Sequence, residues 1–409
     1  MTGQDIRTTS PGTSDRMTGD IVIAIDAMGG DRGVAEVVLG MSKSLQKNSR
    51  LRYIVHGDSG QLTSAMRKFG DLAARTEIRH ADSVIGMDQK PSKALRAAQG
   101  SSMWNALETV KNGESPAVIS CGNTGALMAL SMLALRKAPG VNRPAIAVLW
   151  PSMNPSGYNI VLDAGADIRA DGEDLLKFAL MGASYARNAL GLARPRIGLL
   201  NVGTEEHKGR QELHEAADLI AAAAPDGEFD YVGYVEGSEM PSSRVDVIVT
   251  DGFTGNVALK SAEGTASLIR GLLKEAFAYS ALSRVGALFA YTSLQRLGKR
   301  IDPRQANGGV FLGLNGTVIK SHGGADATGV SAAIRLAFTL AETDGTGVPL
   351  DPELLEDCRV CCRPVRLQFH QDADGELGVD GHARRVRGLR LRHDLLGTQA
   401  GLAGQRVGV

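Results

Sequence analysis

Aromatic side chains are scarce in this chain, at 4% of 409 residues, which argues against the stacking platforms that hold single-stranded bases. An excess of one charge is also missing. Lys and Arg total 45, Asp and Glu total 45, and the pI is near 7.1. That balance removes the whole-chain basic field of a nucleic-acid binder, and no nucleic-acid partner is expected. The four cysteines are too few for a disulfide framework. Three of them, Cys358, Cys361 and Cys362, crowd one stretch near His370, but no second ligand pair follows at a usual spacing. No metal and no cofactor is expected. Long apolar runs are absent too. Met1–Asp20 is polar and lacks a signal-peptide core, with Met17 as an alternative start, and Ala117–Leu135 is interrupted by Ser120, Asn123 and Thr124. A cytoplasmic location is expected. Finally, no dinucleotide fingerprint follows a strand, and there is no P-loop, no His-Glu-x-x-His and no Gly-x-Ser-x-Gly.

Glycine, at 50 residues, and a hydrophobic content of 43% are what the chain has instead. Residues 1–20 read as a disordered arm. Order begins with Ile21-Val22-Ile23-Ala24-Ile25, a continuous apolar run of the kind buried on both faces of a parallel sheet. A glycine turn, Asp26–Asp31, then leads to a helix whose apolar positions are Val34, Val37, Val38, Met41 and Leu45. The strand, glycine loop and helix recur at Pro116–Gly125, Arg196–Gly209 and Val245–Asn256. Further strands are expected at Leu51–Val55, Ala145–Leu149, Ile160–Asp163, Tyr231–Val235 and Thr317–Lys320. Alternation of this sort predicts a Rossmann-like α/β/α sandwich with a mostly parallel sheet. Its ligands belong beyond the carboxyl ends of the strands, where the glycine loops lie.

Two later stretches differ. Gly264–Arg300 reads as a helical hairpin, with Leu268, Ile269, Leu272, Leu273 and Phe277 on its first helix and Val285, Leu288, Phe289 and Leu297 on its second. Arg270, Lys274, Arg284, Arg296, Lys299 and Arg300 flank those faces, so the hairpin suits either an anionic membrane surface or a dimer core. After Asp357 come nine arginines and no lysine, and the 357–409 tail is expected to be disordered.

Asp26-Ala-Met-Gly-Gly-Asp31, Ser120-Cys-Gly-Asn-Thr-Gly-Ala126 and Asn142-Arg-Pro-Ala145 resemble the bacterial phosphate acyltransferase (PlsX) family. So do Leu199–Gly209, Thr250–Asn256 and Gly313–Gly323, in family order, over residues 21 to 342 of a domain placed at 21–345. The resemblance implies a homodimeric, phosphotransacetylase-like enzyme. It implies transfer of a fatty acyl group from acyl carrier protein to inorganic phosphate, with no cofactor. The acyl phosphate then feeds a membrane glycerol-3-phosphate acyltransferase that begins phospholipid synthesis. One departure stands out: after Arg96 the family usually carries more basic residues, whereas this chain reads Ala97-Ala98-Gln99-Gly100, leaving Lys90, Lys93 and Arg96 to attract the carrier protein.

Such a reaction needs no protein nucleophile, because phosphate attacks directly and a thiolate, its thiol pKa near about 8.5, leaves readily. Positioning of the reactants and stabilisation of the oxyanion remain as the protein's task. Lys208, in a glycine-bounded loop, is the candidate cation, with His322 as a phosphate donor or proton carrier. Asp251, Thr254 and Asn256 are candidates to orient phosphate, and Asn123 and Thr124 to donate to the oxyanion, although all five are also ordinary helix-capping types. Gly29, Gly30, Gly125, Asn201, Glu205 and Gly255 complete the expected binding loops, while Asp26 and Asp163 end buried strands. Cys121 reads as a small core residue and not as a nucleophile. Two rivals share the sequence features: a short-chain acyl–coenzyme A phosphotransferase, and a non-catalytic scaffold for membrane or carrier protein.

Overall fold

The computed structural model describes residues 19–205, 207–300, 308–343, 369–371 and 377–379. The chain forms two compact units, Met1–Cys361 and Cys362–Val409. In the second, Phe369–Gln371 pairs antiparallel with Leu377–Val379. The rest of the expected tail, including Cys358, Cys361 and Cys362, lies outside the described residues, as do residues 1–18 of the expected arm.

Eleven strands build the sheet of the first unit. They are β1 (Ile21–Asp26), β2 (Leu51–Gly57), β3 (Thr76–His80), β4 (Ala117–Ser120), β5 (Ala145–Pro151), β6 (Tyr158–Leu162), β7 (Arg196–Leu200), β8 (Asp230–Val235), β9 (Val247–Val249), β10 (Gly309–Leu312) and β11 (Thr317–Lys320). Their order across the sheet is β3-β2-β1-β4-β11-β10-β5-β6-β9-β7-β8. Side chains alternate between faces along each strand, as a pleated strand requires. Ile23 and Ile25 enter one core while Ala24 enters the other, and Val247 and Val249 oppose Ile248 in the same way.

Helices cover both faces. On one lie α1 (Val34–Lys47), α7 (Gly172–Leu190), α8 (Gln211–Ala223) and α12 (Ala327–Thr343), and the smaller α2 (Ser59–Met66) and α3 (Gly70–Ala74) join this core through Leu62 and Leu72. On the other lie α4 (Pro91–Arg96), α5 (Ser102–Lys111) and α6 (Thr124–Ala134), followed by the start of α9 (Gly252–Ala278). The expected hairpin is longer and more broken than 264–300. Its first helix is α9, which begins twelve residues early because Asp251 caps it, and the second is divided at Ala290 into α10 (Ala281–Phe289) and α11 (Tyr291–Arg300).

The glycine loops do not all gather at one end of the sheet. β3, β2, β1, β4 and β11 run parallel to one another, and so do β6, β9, β7 and β8. Between these halves, β11–β10, β10–β5 and β5–β6 are each antiparallel. Three reversals leave the halves pointing in opposite directions. The loops after β1, β4 and β11 therefore open at one edge of the sheet, and those after β6, β7 and β9 at the other.

Candidate active site

At the first edge, three loops meet closely enough to exclude side chains. A Cβ on Gly29 would lie 2.7 Å from the Gly122 Cα, and one on Gly30 would lie 3.0 Å from the Cys121 Cβ. The Asp31 N–H donates to the Gly323 carbonyl at 2.9 Å, and Ser321 N–H to the Ser120 carbonyl at 2.9 Å. Gly29 and Gly30, expected as ligand-approach positions, thus serve first to let backbone meet backbone. Asn123 caps α6, accepting from the Ala126 N–H at 3.0 Å, and its amide donates to the carbonyls of Met87 and Gln89. Both ends of that side chain are engaged, so it is not a free oxyanion donor. Thr124 and Gly125 form the first turn of α6, where backbone N–H groups lack intrahelical partners.

Beneath these loops runs a polar row across five parallel strands. Arg79, His56, Asp26, Ser120 and Lys320 are consecutive register partners on β3, β2, β1, β4 and β11. All point to the face that carries α5 and α6, because Ala24, Val118 and Val318, two residues earlier, pack into that core. Asp26 is fully buried and accepts from the Ser120 hydroxyl at 2.7 Å, and Ser120 in turn accepts from the Gly122 N–H at 3.0 Å. Burial pushes the Asp26 carboxyl above the ordinary range. Lys320 donates to the Ser321 carbonyl and, at 3.5 Å, to that of Cys121. Desolvation lowers its pKa to about 8. Neither Lys320 nor Ser120 stood among the expected site residues. The two-residue spacing between Lys320 and His322 was legible, but only strand register shows that Lys320 continues the Asp26–Ser120 row.

Cys121 is buried, and burial raises its thiol pKa, so the thiolate is disfavoured. His322 stands at the rim; partial desolvation, and then the Lys260 ammonium on α9, lower its pKa. Its Nδ1 accepts from the Gly324 N–H at 3.1 Å.

The second edge gathers the remaining expected residues. Asp251 accepts from the Thr254 N–H at 2.8 Å and the Thr254 hydroxyl at 2.9 Å, and it pairs with Arg210 ahead of α8. Burial alone would raise Asp251, but the Thr254 N–H, Arg210 and the Thr254 hydroxyl outweigh it and hold the carboxyl below the ordinary range. Its position is that of a helix N-cap paired to an arginine, which leaves little capacity to orient an attacking group. A Cβ on Gly255 would run into the Asp163 carbonyl, so this glycine lets α9 press on the β6 loop. Asp163 receives the N–H groups of Ile146 at 2.8 Å and Asp167 at 2.9 Å, ordering its own loop, and Arg143 pairs with Asp167. Asn201 folds back onto the Lys208 carbonyl at 2.9 Å. Lys208 is exposed and forms an ion pair with Glu205 at 2.7 Å, while Asn256 is exposed one turn into α9, beside Gly165.

The two edges are not isolated. α9 starts at the second edge, packs Ala258, Leu259 and Ala262 against the sheet face, and brings Lys260 into the field of His322 and Lys320. Lys260, itself paired with Glu263 at 2.7 Å, is thus the residue of α9 whose charge is felt at the first edge. Among the described residues no group of three or more His, Cys, Asp or Glu is placed to hold a metal.

The profile described as Fatty acid synthesis protein matches residues 21–346. A Phosphate acyltransferase from Paracoccus denitrificans is 65% identical over 334 residues, covering 81% of this chain and 90% of that one. The Phosphate acyltransferase of Jannaschia sp. is 65% identical over 325 residues, covering 80% and 89%. The chain belongs to the phosphate acyltransferase (PlsX) family. It is an acyltransferase of fatty acid and phospholipid synthesis. Among solved structures, the EutD phosphotransacetylase from Staphylococcus aureus has a TM-score of 0.52 at 16% identity, covering 78% of this chain and 94% of that one. A phosphotransacetylase from Streptococcus pyogenes matches equally, with a TM-score of 0.52, 16% identity and the same 78% and 94% coverage. These likenesses show a shared phosphotransacetylase-like fold.

Proposed function

We propose that this protein moves a fatty acyl group from the thioester of an acyl carrier protein to inorganic phosphate. A phosphate oxygen bonds to the carbonyl carbon, the C–S bond breaks, its electron pair leaves on sulfur, and the thiolate takes a proton from solvent. The products are an acyl phosphate and the free carrier thiol, and the acyl phosphate suits a membrane glycerol-3-phosphate acyltransferase downstream. The observation that carries this reading is the 65% identity, over most of both chains, to proteins named Phosphate acyltransferase. The site's chemistry supports it: Lys320 and the first turn of α6 adjoin the same loop, after Cys121, and no activated nucleophile is needed.

Within this reading Lys208 meets the incoming anion, since an exposed pair with Glu205 is readily exchanged for a ligand. Thr254 and Asn256 lie at the start of α9, at the same edge as Lys208, and His322 serves phosphate at the other edge. Lys90, Lys93 and Arg96 lie exposed on and before α4, directly after the Met87–Gln89 segment held by Asn123, and they offer the acidic carrier an approach to the first edge.

The outer helices suit a homodimer that rests on an anionic membrane. Leu268 and Leu272 on α9 are 61% and 55% exposed, and Leu288 and Phe289 on α10 are 81% and 88% exposed. Apolar surface on that scale, flanked by Arg270, Lys274 and Arg284, calls for a covering partner. No helix among the described residues is long and apolar enough to cross a membrane.

The reaction is tested by mixing purified protein with long-chain acyl carrier protein or acyl–coenzyme A, with and without phosphate, and trapping acyl phosphate with hydroxylamine. Phosphate-dependent product from the carrier donor is expected. Product only from short-chain coenzyme A thioesters would favour the short-chain phosphotransferase alternative, and no product at all would favour a scaffold.

A further inference from the structure

Lys320 is a lysine placed where a surface lysine would not be. It closes the polar row that runs through Asp26 and Ser120, at the carboxyl end of β11. Its ammonium reaches only backbone oxygens among the described residues, those of Cys121 and Ser321, and no carboxylate is paired with it. A partly buried ammonium with no carboxylate in direct contact is costly, and it has donor capacity left to receive an anion. The place beside it is suited to one: the Cys121-Gly122-Asn123 loop leads straight into the first turn of α6, whose Thr124 and Gly125 N–H groups have no intrahelical acceptor. Glycines at 29, 30 and 122 close that loop cluster on its other side.

We infer that Lys320 is the cation that seats the nucleophilic phosphate, against the start of α6, with Lys208 meeting the substrate from the opposite edge. The inference rests on the acyl-transfer reading for its chemistry but not for its test.

The groups that face Lys320 set its behaviour with pH. Asp26 on β1, Asp31 in the loop after it, and Cys121 after β4 hold its proton on, while desolvation and Lys260 on α9 drive the proton off; His322 stands two residues ahead on its own segment. The net result is a pKa lowered to about 8. Phosphate affinity is then expected to be high below that pH and to fall about tenfold per unit above it, as the ammonium is lost. Inorganic phosphate loses its own second proton near neutral pH, within the assay range, but that step adds charge to the ligand and so does not produce a loss of affinity at higher pH. Cys121→Ala keeps the same limb, which separates the lysine from the thiol.

The experiment compares the parent protein with Lys320→Met and Lys320→Arg, using inorganic phosphate itself as the probe. Thermal midpoints with and without phosphate, from about pH 6.5 to about pH 10, report binding whether or not turnover is seen. Phosphate should raise the parent's midpoint below about pH 8 but leave that of Lys320→Met unchanged, while Lys320→Arg regains the shift and keeps it to higher pH. In turnover, Lys320→Met should lose about a hundredfold or more in kcat/KM for phosphate, with KM for the acyl donor within about threefold of the parent. Equal phosphate shifts in the parent and Lys320→Met would overturn the inference, and so would no shift in a folded parent. Should Lys320→Met fail to fold, Lys320→Arg decides: a phosphate shift that fades at the same pH as the parent's refutes the role, and one that extends to higher pH supports it. A parent that binds phosphate through Lys320 yet makes no acyl phosphate would instead refute the acyltransferase reading alone.

Discussion

Arg210 reaches from the residue before α8 to the carboxylate of Asp251, which caps α9, and so ties together the loops after β7 and β9. Asp251 is only 2% exposed, whereas Arg210 is 55% exposed, so the pair is a buried carboxylate served by a surface arginine. Removing the arginine leaves a buried acceptor with one partner fewer. Arg210→Ala should therefore cost about 1–3 kcal/mol in urea unfolding at neutral pH. The pH dependence has a definite sign. A carboxyl held below its ordinary value contributes stability above about pH 4, and that contribution is lost as pH falls through the folded value. The difference between parent and Arg210→Ala should shrink steadily in acid; a difference that grew below about pH 4 would contradict this assignment.

Lys208→Ala should leave stability unchanged, because its ion pair with Glu205 is solvent-exposed. Turnover should fall by about two orders of magnitude if Lys208 meets an anion in the transition state. Steady-state rates within a few-fold of the parent would remove it from the mechanism.

Cys121→Ala should keep turnover within about threefold, since burial disfavours the thiolate and phosphate is itself the nucleophile. Iodoacetamide should label this thiol slowly in the folded protein and rapidly in denaturant. Loss of activity in Cys121→Ala with the fold intact would point instead to a covalent acyl-enzyme.

Leu272→Glu on α9 and Phe289→Glu on α10 each place a charge on the exposed apolar stripe. Vesicles of anionic phospholipid should bind the parent and release these variants, with turnover in solution preserved. Variants that still sediment with vesicles would assign the stripe to contact between protomers, and a shift from dimer to monomer in light scattering would accompany that result.

Much of the fold was legible because buried parallel strands write themselves as short apolar runs. Pro116–Ser120 and Val245–Thr250 announce themselves this way, and the helices after them start at the capping residues Asn123 and Asp251. Two strands were missed for identifiable reasons. Thr76–His80 forms the edge strand β3, half exposed and therefore polar, and Gly309–Leu312 is too short to separate from the glycine loops around it. What went unread is that the helix expected after Asn256 and the first helix of the hairpin are one, α9, which already starts at Gly252; Gly252 and Gly255 look like loop residues until the Asp167 and Asp163 carbonyls are seen pressing on them.

By itself, then, the sequence determined the class of fold, the family, and which residue types stand at the ends of the strands, since all three follow from local pattern and motif order. Only the tertiary structure decided which of those ends meet. Strand direction is set by pairings between residues far apart in the chain, and the antiparallel pairs of β5 and β10 turn one half of the sheet against the other. That reversal sends Lys208 and His322 to opposite edges, and register alone lines up Asp26, Ser120 and Lys320, because hydrogen-bonded ladders align residues that no local spacing relates.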